Sequence, residues 1–219
     1  MKSLVVELSF VNKASMMAIQ RTLYEQKMNK KTAFNLESIT KHLPPSASSN
    51  KAAPVDQWNP DFCGDIDLLI KRNGEWIYQQ TPITRPAMVN LFARVLWYED
   101  GRYYLKTPVE KIGIQVEEAP FYVTQMLFDE NEEGRAIIRF VTLTGDDITL
   151  DQTHPIRLKV DPLTSEPTPL VMVRFGMEAI ISRPVFYELV EHAHVQRIDN
   201  QDQLVVESAG YTFILGSVS

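Results

Sequence analysis

From Ile66 onward the chain is cut every few residues into short apolar runs separated by turn formers. This punctuation limits the fold more than any other feature. Ile66 to Ile70 is followed by Asn73-Gly74 and then by Glu75-Trp76-Ile77-Tyr78. Asn-Gly between two strand-like runs predicts a tight hairpin with positive φ at both turn positions. Further on, Val109 to Val116, Phe121 to Phe128, Ala136 to Thr144, Ile148 to Leu150 and Ile156 to Val160 are broken by Gly134, Gly145-Asp146 and Pro155. Leu170 to Phe175, Ala179 to Ile181, Leu204 to Val206 and Tyr211 to Leu215 continue the pattern. Strands this short and turns this regular predict an antiparallel meander that curls into a roll or barrel.

Helical spacing appears in three places. Met88, Leu91, Phe92, Val95 and Leu96 fall on one helical face behind Pro86, which suits a first turn because its missing N–H would be unpaired there anyway. A second helix is predicted from Pro184. Over residues 1–43, Met16, Ile19, Leu23 and Tyr24 give a one-sided pattern, and Asn35 caps a shorter helix carrying Leu36, Ile39 and Leu43. Pro44 to Ala53 reads as a linker. Met16, Met17 and Met28 are alternative starts, and residues 1–27 are expected to be dispensable or a product of start assignment.

Two segments echo one another: ITRPAMVNLF from Ile83 and ISRPVFYELV from Ile181. Each places an arginine, Arg85 or Arg183, beside the start of an amphipathic helix. The positive end of a helix does not favour a cation, so each guanidinium is expected to reach away toward a carboxylate or carbonyl. Glu110 falls on the same face as Ile112, Ile114 and Val116 if its segment is a strand, and a buried carboxylate needs a partner. A Glu110–arginine pair between the two halves is therefore expected. Asp65 and Asp67 flank Ile66, so on a strand both carboxylates point the same way and could hold a metal or share a proton. The competing reading is a solvated strand entrance. Cys63 is expected to be buried, as free cysteines commonly are. His192 and His194 lack a clear third ligand, and no metal site is assigned.

The stretches VDQWNPDFCGDIDLLI, GEWIYQQTPITRP, YYLKTPVEKIGIQVEEAPF and ISRPVFYELV together resemble the bacterial family catalogued as domain of unknown function 1285. The resemblance covers about three quarters of the chain. It implies a small N-terminal α+β roll followed by a C-terminal β roll, and it implies no activity. With the periodicity above, the expected fold class is α+β. A helical extension and linker occupy 1–53, the small α+β roll 54–108, and a mainly antiparallel β roll with one helix 109–219.

Composition restricts the function classes. Asp and Glu number 28 against 22 Lys and Arg, giving a formal net charge of −6, which argues against a nucleic-acid partner. A single cysteine excludes an intrachain disulfide. No apolar run approaches the roughly 18 residues of a membrane-spanning helix, and Glu7 interrupts the N-terminal apolar stretch, so the cytoplasm is expected. Dinucleotide, nucleoside-triphosphate, nucleophile-elbow and zincin motifs are missing. The expected function is a non-catalytic module that binds a small ligand or a protein partner between its lobes, at Arg85, Glu110, Arg183, Asp65 and Asp67, with no cofactor. The alternative is a metal-dependent hydrolase or lyase using Asp65 and Asp67. Strand edges offer a route to a homodimer.

Overall fold

The computed structural model describes residues 52–131, 133–164 and 166–218. The helical extension predicted over 1–53 lies outside the described residues, apart from Ala52 and Ala53. Among the described residues there are fifteen strands and only two α-helices, α1 (Pro86–Ala93) and α2 (Arg183–Glu191). The fold is mostly β, which corrects the α+β expectation.

The first sheet comprises β1 (Phe62–Ile70), β2 (Trp76–Tyr78), β3 (Thr81–Pro82), β4 (Leu96–Glu99), β5 (Arg102–Lys106) and β6 (Lys111–Val116). The second comprises β7 (Phe121–Glu130), β8 (Ala136–Thr142), β9 (Asp147–Thr149), β10 (Ile156–Val160), β11 (Pro167–Arg174) and β12 (Met177–Ile181). Their strand orders are β3-β2-β1-β6-β5-β4 and β10-β11-β12-β7-β8-β9. These are one topology read in opposite directions. In each, two three-stranded antiparallel meanders are joined through a parallel contact between the first strand and the last, β1 with β6 and β7 with β12. Parallel neighbours cannot be joined by a hairpin, and here the rest of each lobe serves as the long connection. The sequence echo is out of step with this repeat. Its first copy precedes α1, in the middle of the first sheet, whereas its second precedes α2, after the second sheet is complete.

α1 shows where helix spacing misleads. The apolar positions run on through Val95 and Leu96, but the helix ends at Ala93. Leu96-Trp97-Tyr98-Glu99 instead pairs with β5 across the two-residue turn Asp100-Gly101, whose φ values of 50° and 76° are those of a type I′ turn. The Asn73-Gly74 turn also differs from expectation. Only Gly74 has positive φ, and Gly74 N donates to Lys71 O (2.9 Å) while Lys71 N donates to Glu75 O (2.8 Å). This is a three-residue loop closed by a glycine bulge.

One face of each sheet is packed. Leu68, Ile70, Leu96, Leu105 and Ile112 are buried beneath Phe92 of α1, and Trp76 stacks on Phe92 at 6.3 Å. Phe121, Val123, Phe140, Leu170, Val171, Met177 and Ile181 fill the second lobe, where α2 lies against β7 and buries Val185 and Leu189. A third sheet, β13 (His194–Ile198), β14 (Gln201–Ser208) and β15 (Tyr211–Ser217), follows α2. It is tied to β8 by Ile138 N donating to Ser208 Oγ (2.8 Å) and Ala209 N donating to Ala136 O (2.9 Å).

Candidate functional site

The side chains singled out in the sequence do not gather in one place. Asp65 and Asp67 are both exposed on β1, whose pairing is irregular between Asp65 and Leu69, and Asp65 is engaged by Arg102 at 2.6 Å. Gly113 lies beneath this pair, because a Cβ there would stand 1.8 Å from Asp65 Oδ1. Arg85 is the exposed N-cap of α1. Arg183 is exposed and meets Glu166 at 3.5 Å. Glu110 is half-buried, in a turn rather than a strand. Its backbone N–H donates to Thr107 Oγ1 (3.1 Å), and its carbonyl accepts from Thr107 N (2.8 Å). Cys63 is exposed, contrary to expectation, and its Sγ donates to Asp61 O. His192 caps the C-terminus of α2 and packs on Phe128 at 4.0 Å, while His194 lies on the edge strand β13. Among the described residues, no three His, Cys, Asp or Glu side chains are grouped to hold a metal ion.

A different set converges. The hairpin between β8 and β9 closes with Gly145 N donating to Thr142 O (3.0 Å) and Thr142 N donating to Asp146 O (2.9 Å). That closure turns the Asp146 carboxylate inward. Its Oδ2 accepts from Thr142 Oγ1 (3.0 Å) and Thr144 Oγ1 (2.9 Å), and its Oδ1 accepts from Arg174 Nη1. Arg174, the last residue of β11, also donates from Nη2 to Ala93 O (2.8 Å), the carbonyl at the end of α1. Its guanidinium carbon stands 4.5 Å from the centre of the Phe121 ring. Both charged side chains are largely shielded, at 15% and 14% exposure. Burial pushes Arg174 down to about 10, so it remains charged at neutral pH beside Asp146. The ion pair lies within the second lobe, and the Arg174 bond to Ala93 O ties it to the first.

That pair forms one side of a groove of about 660 Å³, lined also by Val141, Ile148, Val173, Ala52 and His154. His154 is positioned by the turn before β10. Asp151 Oδ1 accepts from Thr153 N (2.8 Å), Thr153 Oγ1 (2.7 Å) and His154 N (2.9 Å), and it lies 3.0 Å from His154 Nδ1. Burial raises the Asp151 pKa, but this set of hydrogen bonds outweighs it and holds the carboxyl below its ordinary value. In the neutral ring with its proton on Nδ1, facing this carboxylate, Nε2 is an acceptor. The groove therefore offers apolar walls, an ion pair with one unpartnered donor among the described residues, Arg174 Nε, and an imidazole at its margin. Sequence reasoning missed it. Gly145-Asp146 reads as an ordinary turn, Arg174 as the polar end of a strand, and nothing in their spacing links them.

Two six-stranded sheets of one topology, with a part-buried ion pair beside a groove in the second, define a two-lobed, mostly β protein. The chain belongs to the DUF1285 family. The domain of unknown function (DUF1285) N-terminal domain matches residues 53–119, and the protein of unknown function (DUF1285) C-terminal domain matches residues 120–215. The crystal structure of a DUF1285 family protein from Silicibacter pomeroyi DSS-3 is 43% identical with a TM-score of 0.70, over 79% of this chain and 93% of that one. A second, from Shewanella baltica OS155, is 25% identical with a TM-score of 0.45, over 57% and 90%. No curated protein matches. No helix among the described residues is long and apolar enough to cross a membrane.

Proposed function

We propose that the protein is a non-catalytic module that binds a small, largely apolar molecule carrying a hydroxyl or amino group in the groove beside Arg174. The observation that carries this reading is the polar lining of the groove. Asp146 and Arg174 are paired with each other, with Thr142 and Thr144, and with Ala93 O, so no charge calls for a charged ligand, while Arg174 Nε is a buried donor without a partner among the described residues. A buried ion pair adds little stability over an apolar replacement of the same shape, so its cost fits a role in setting the shape of a site. The acceptor at His154 Nε2 would select the donor-bearing end of the ligand, and Val141, Ile148 and Val173 its apolar body. The hydrolase alternative gains no support, because Asp65 is committed to Arg102.

The test is saturation-transfer NMR on the full chain with a set of small phenols and short alkanols. Val141 is half-buried and lines the groove, so Val141→Trp fills it without touching the packed interior. Transfer is expected in the wild type and lost in V141W. Equal transfer in both proteins, or none in the wild type, contradicts the reading.

A further inference from the structure

The face of the first sheet that carries Trp97, Tyr104 and Lys106 holds a second constellation, which shares no residue with the lining of the groove. Register places Trp97 opposite Tyr104, Glu99 opposite Arg102, and Lys106 opposite Lys111, so these side chains share one face. Like charges directly opposite each other on paired strands are unfavourable, which makes the two lysines an oddity. Lys111 is provided for. Its Nζ lies 2.7 Å from Glu99 Oε2 and 5.3 Å from the centre of the Tyr104 ring, and the Glu99 hydrogen bond raises its pKa.

Lys106 is not provided for in the same way. It is 5% exposed, and its ammonium sits 4.2 Å from the centre of the Trp97 ring. Among the described residues no carboxylate lies within ion-pair distance of its ammonium and no hydrogen bond reaches that ammonium, while its backbone N–H donates to Val95 O (2.8 Å). Glu99 accepts a hydrogen bond from Lys111 and acts on Lys106 only through space, more strongly than Asp56 does. Beside it, Trp97 Nε1 is buried and has no hydrogen-bond partner among the described residues. Buried charges are ordinarily paired and buried N–H groups ordinarily bonded. Here an ammonium and an indole N–H, on two touching side chains, both lack an acceptor. The opposite edge of the indole meets Phe175, 5.4 Å away and tilted by 53°. Phe175 holds a φ of 51°, a conformation that bulky residues rarely adopt, so the ring is kept against Trp97 at a conformational cost.

We propose that Lys106 and Trp97, with Lys111 beside them, form a binding site for a small oxyanion, a carboxylate or a phosphate group. One oxygen would accept from the ammonium and a second from the indole N–H, and Lys111 would add longer-range attraction. The competing account is that Lys106 is a purely structural cation held by the aromatic ring.

Isothermal titration of the full chain at low ionic strength, with inorganic phosphate and separately with acetate, decides between them. The expected result is one saturable site per chain, weakened at least tenfold in Lys106→Met, which keeps the apolar stem. Tighter binding of phosphate identifies the phosphate class, and tighter binding of acetate the carboxylate class. Trp97→Phe keeps the ring and removes only the N–H, so it should also weaken binding. It decides the matter alone if K106M fails to fold. No saturable binding of either anion, or unchanged affinity in the folded variants, overturns the proposal.

Discussion

Arg174 and Asp146 each bring a charge into the interior, and each would be left without its counter-charge if the other were removed. Breaking one side of a buried pair costs roughly 3–5 kcal/mol, because the survivor keeps its desolvation penalty. Arg174→Met is therefore expected to lose about that much stability in urea denaturation, and Asp146→Asn somewhat less, since the amide can still accept from Thr142 and Thr144. The double replacement should cost less than the sum of the two. Asp151 gives a pH dependence of opposite character to a buried base. Its folded pKa is depressed, so its contribution to stability is complete above the unfolded value of roughly 3.9 and is lost as pH falls through the folded value. The urea midpoint should therefore fall between about pH 5 and pH 2, and Asp151→Asn should flatten that part of the profile. Residue chemistry was legible in the sequence only in part. That Asp65 and Asp67 could lie exposed on a strand followed from their charge and spacing. That Arg102, thirty-seven positions away, would take up Asp65 did not, because the pairing depends on β1 and β5 flanking β6.

At the scale of elements, the hairpins explain what could be read and what could not. Five two-residue turns have positive φ at both positions: Gln79-Gln80, Asp100-Gly101, Phe175-Gly176, Asp199-Asn200 and Ala209-Gly210. Asp-Gly is a standard signal for this turn, whereas Gln-Gln and Phe-Gly are not. β3 and β13 went unrecognised accordingly, since Gln79-Gln80 and Asp199-Asn200 do not announce the strands they connect. β4 was absorbed into a predicted helix because its apolar residues continue the spacing of α1. The longer strands, from Phe121, Ala136 and Leu170, were plain because β-branched and aromatic residues alternate between glycine or proline breaks. Left-handed backbone costs an ordinary side chain roughly 1–2 kcal/mol per residue. Replacing Gln79-Gln80 by Asn-Gly should therefore raise stability by about 1 kcal/mol, seen as a higher urea midpoint with unchanged slope. A fall in the midpoint would show that the glutamine side chains contribute more than their backbone costs.

For the molecule as a whole, the repeated topology was not legible at all, because the ten-residue echo marks helix starts that occupy different places in the two lobes. The contacts between the lobes include Arg174 donating to Ala93 O, Arg72 donating to Thr168 Oγ1 and Trp97 packing on Phe175, and the groove lies beside the first of these. The most direct test of this account is to titrate the phenol and alkanol set into isotope-labelled full-length protein and follow backbone amide shifts. The account predicts that the perturbed amides cluster at Val141, Gly145, Asp147, Ile148, His154 and Val173. Perturbations centred on the exposed face of β1 or on β13, with the Arg174 groove silent, would contradict it.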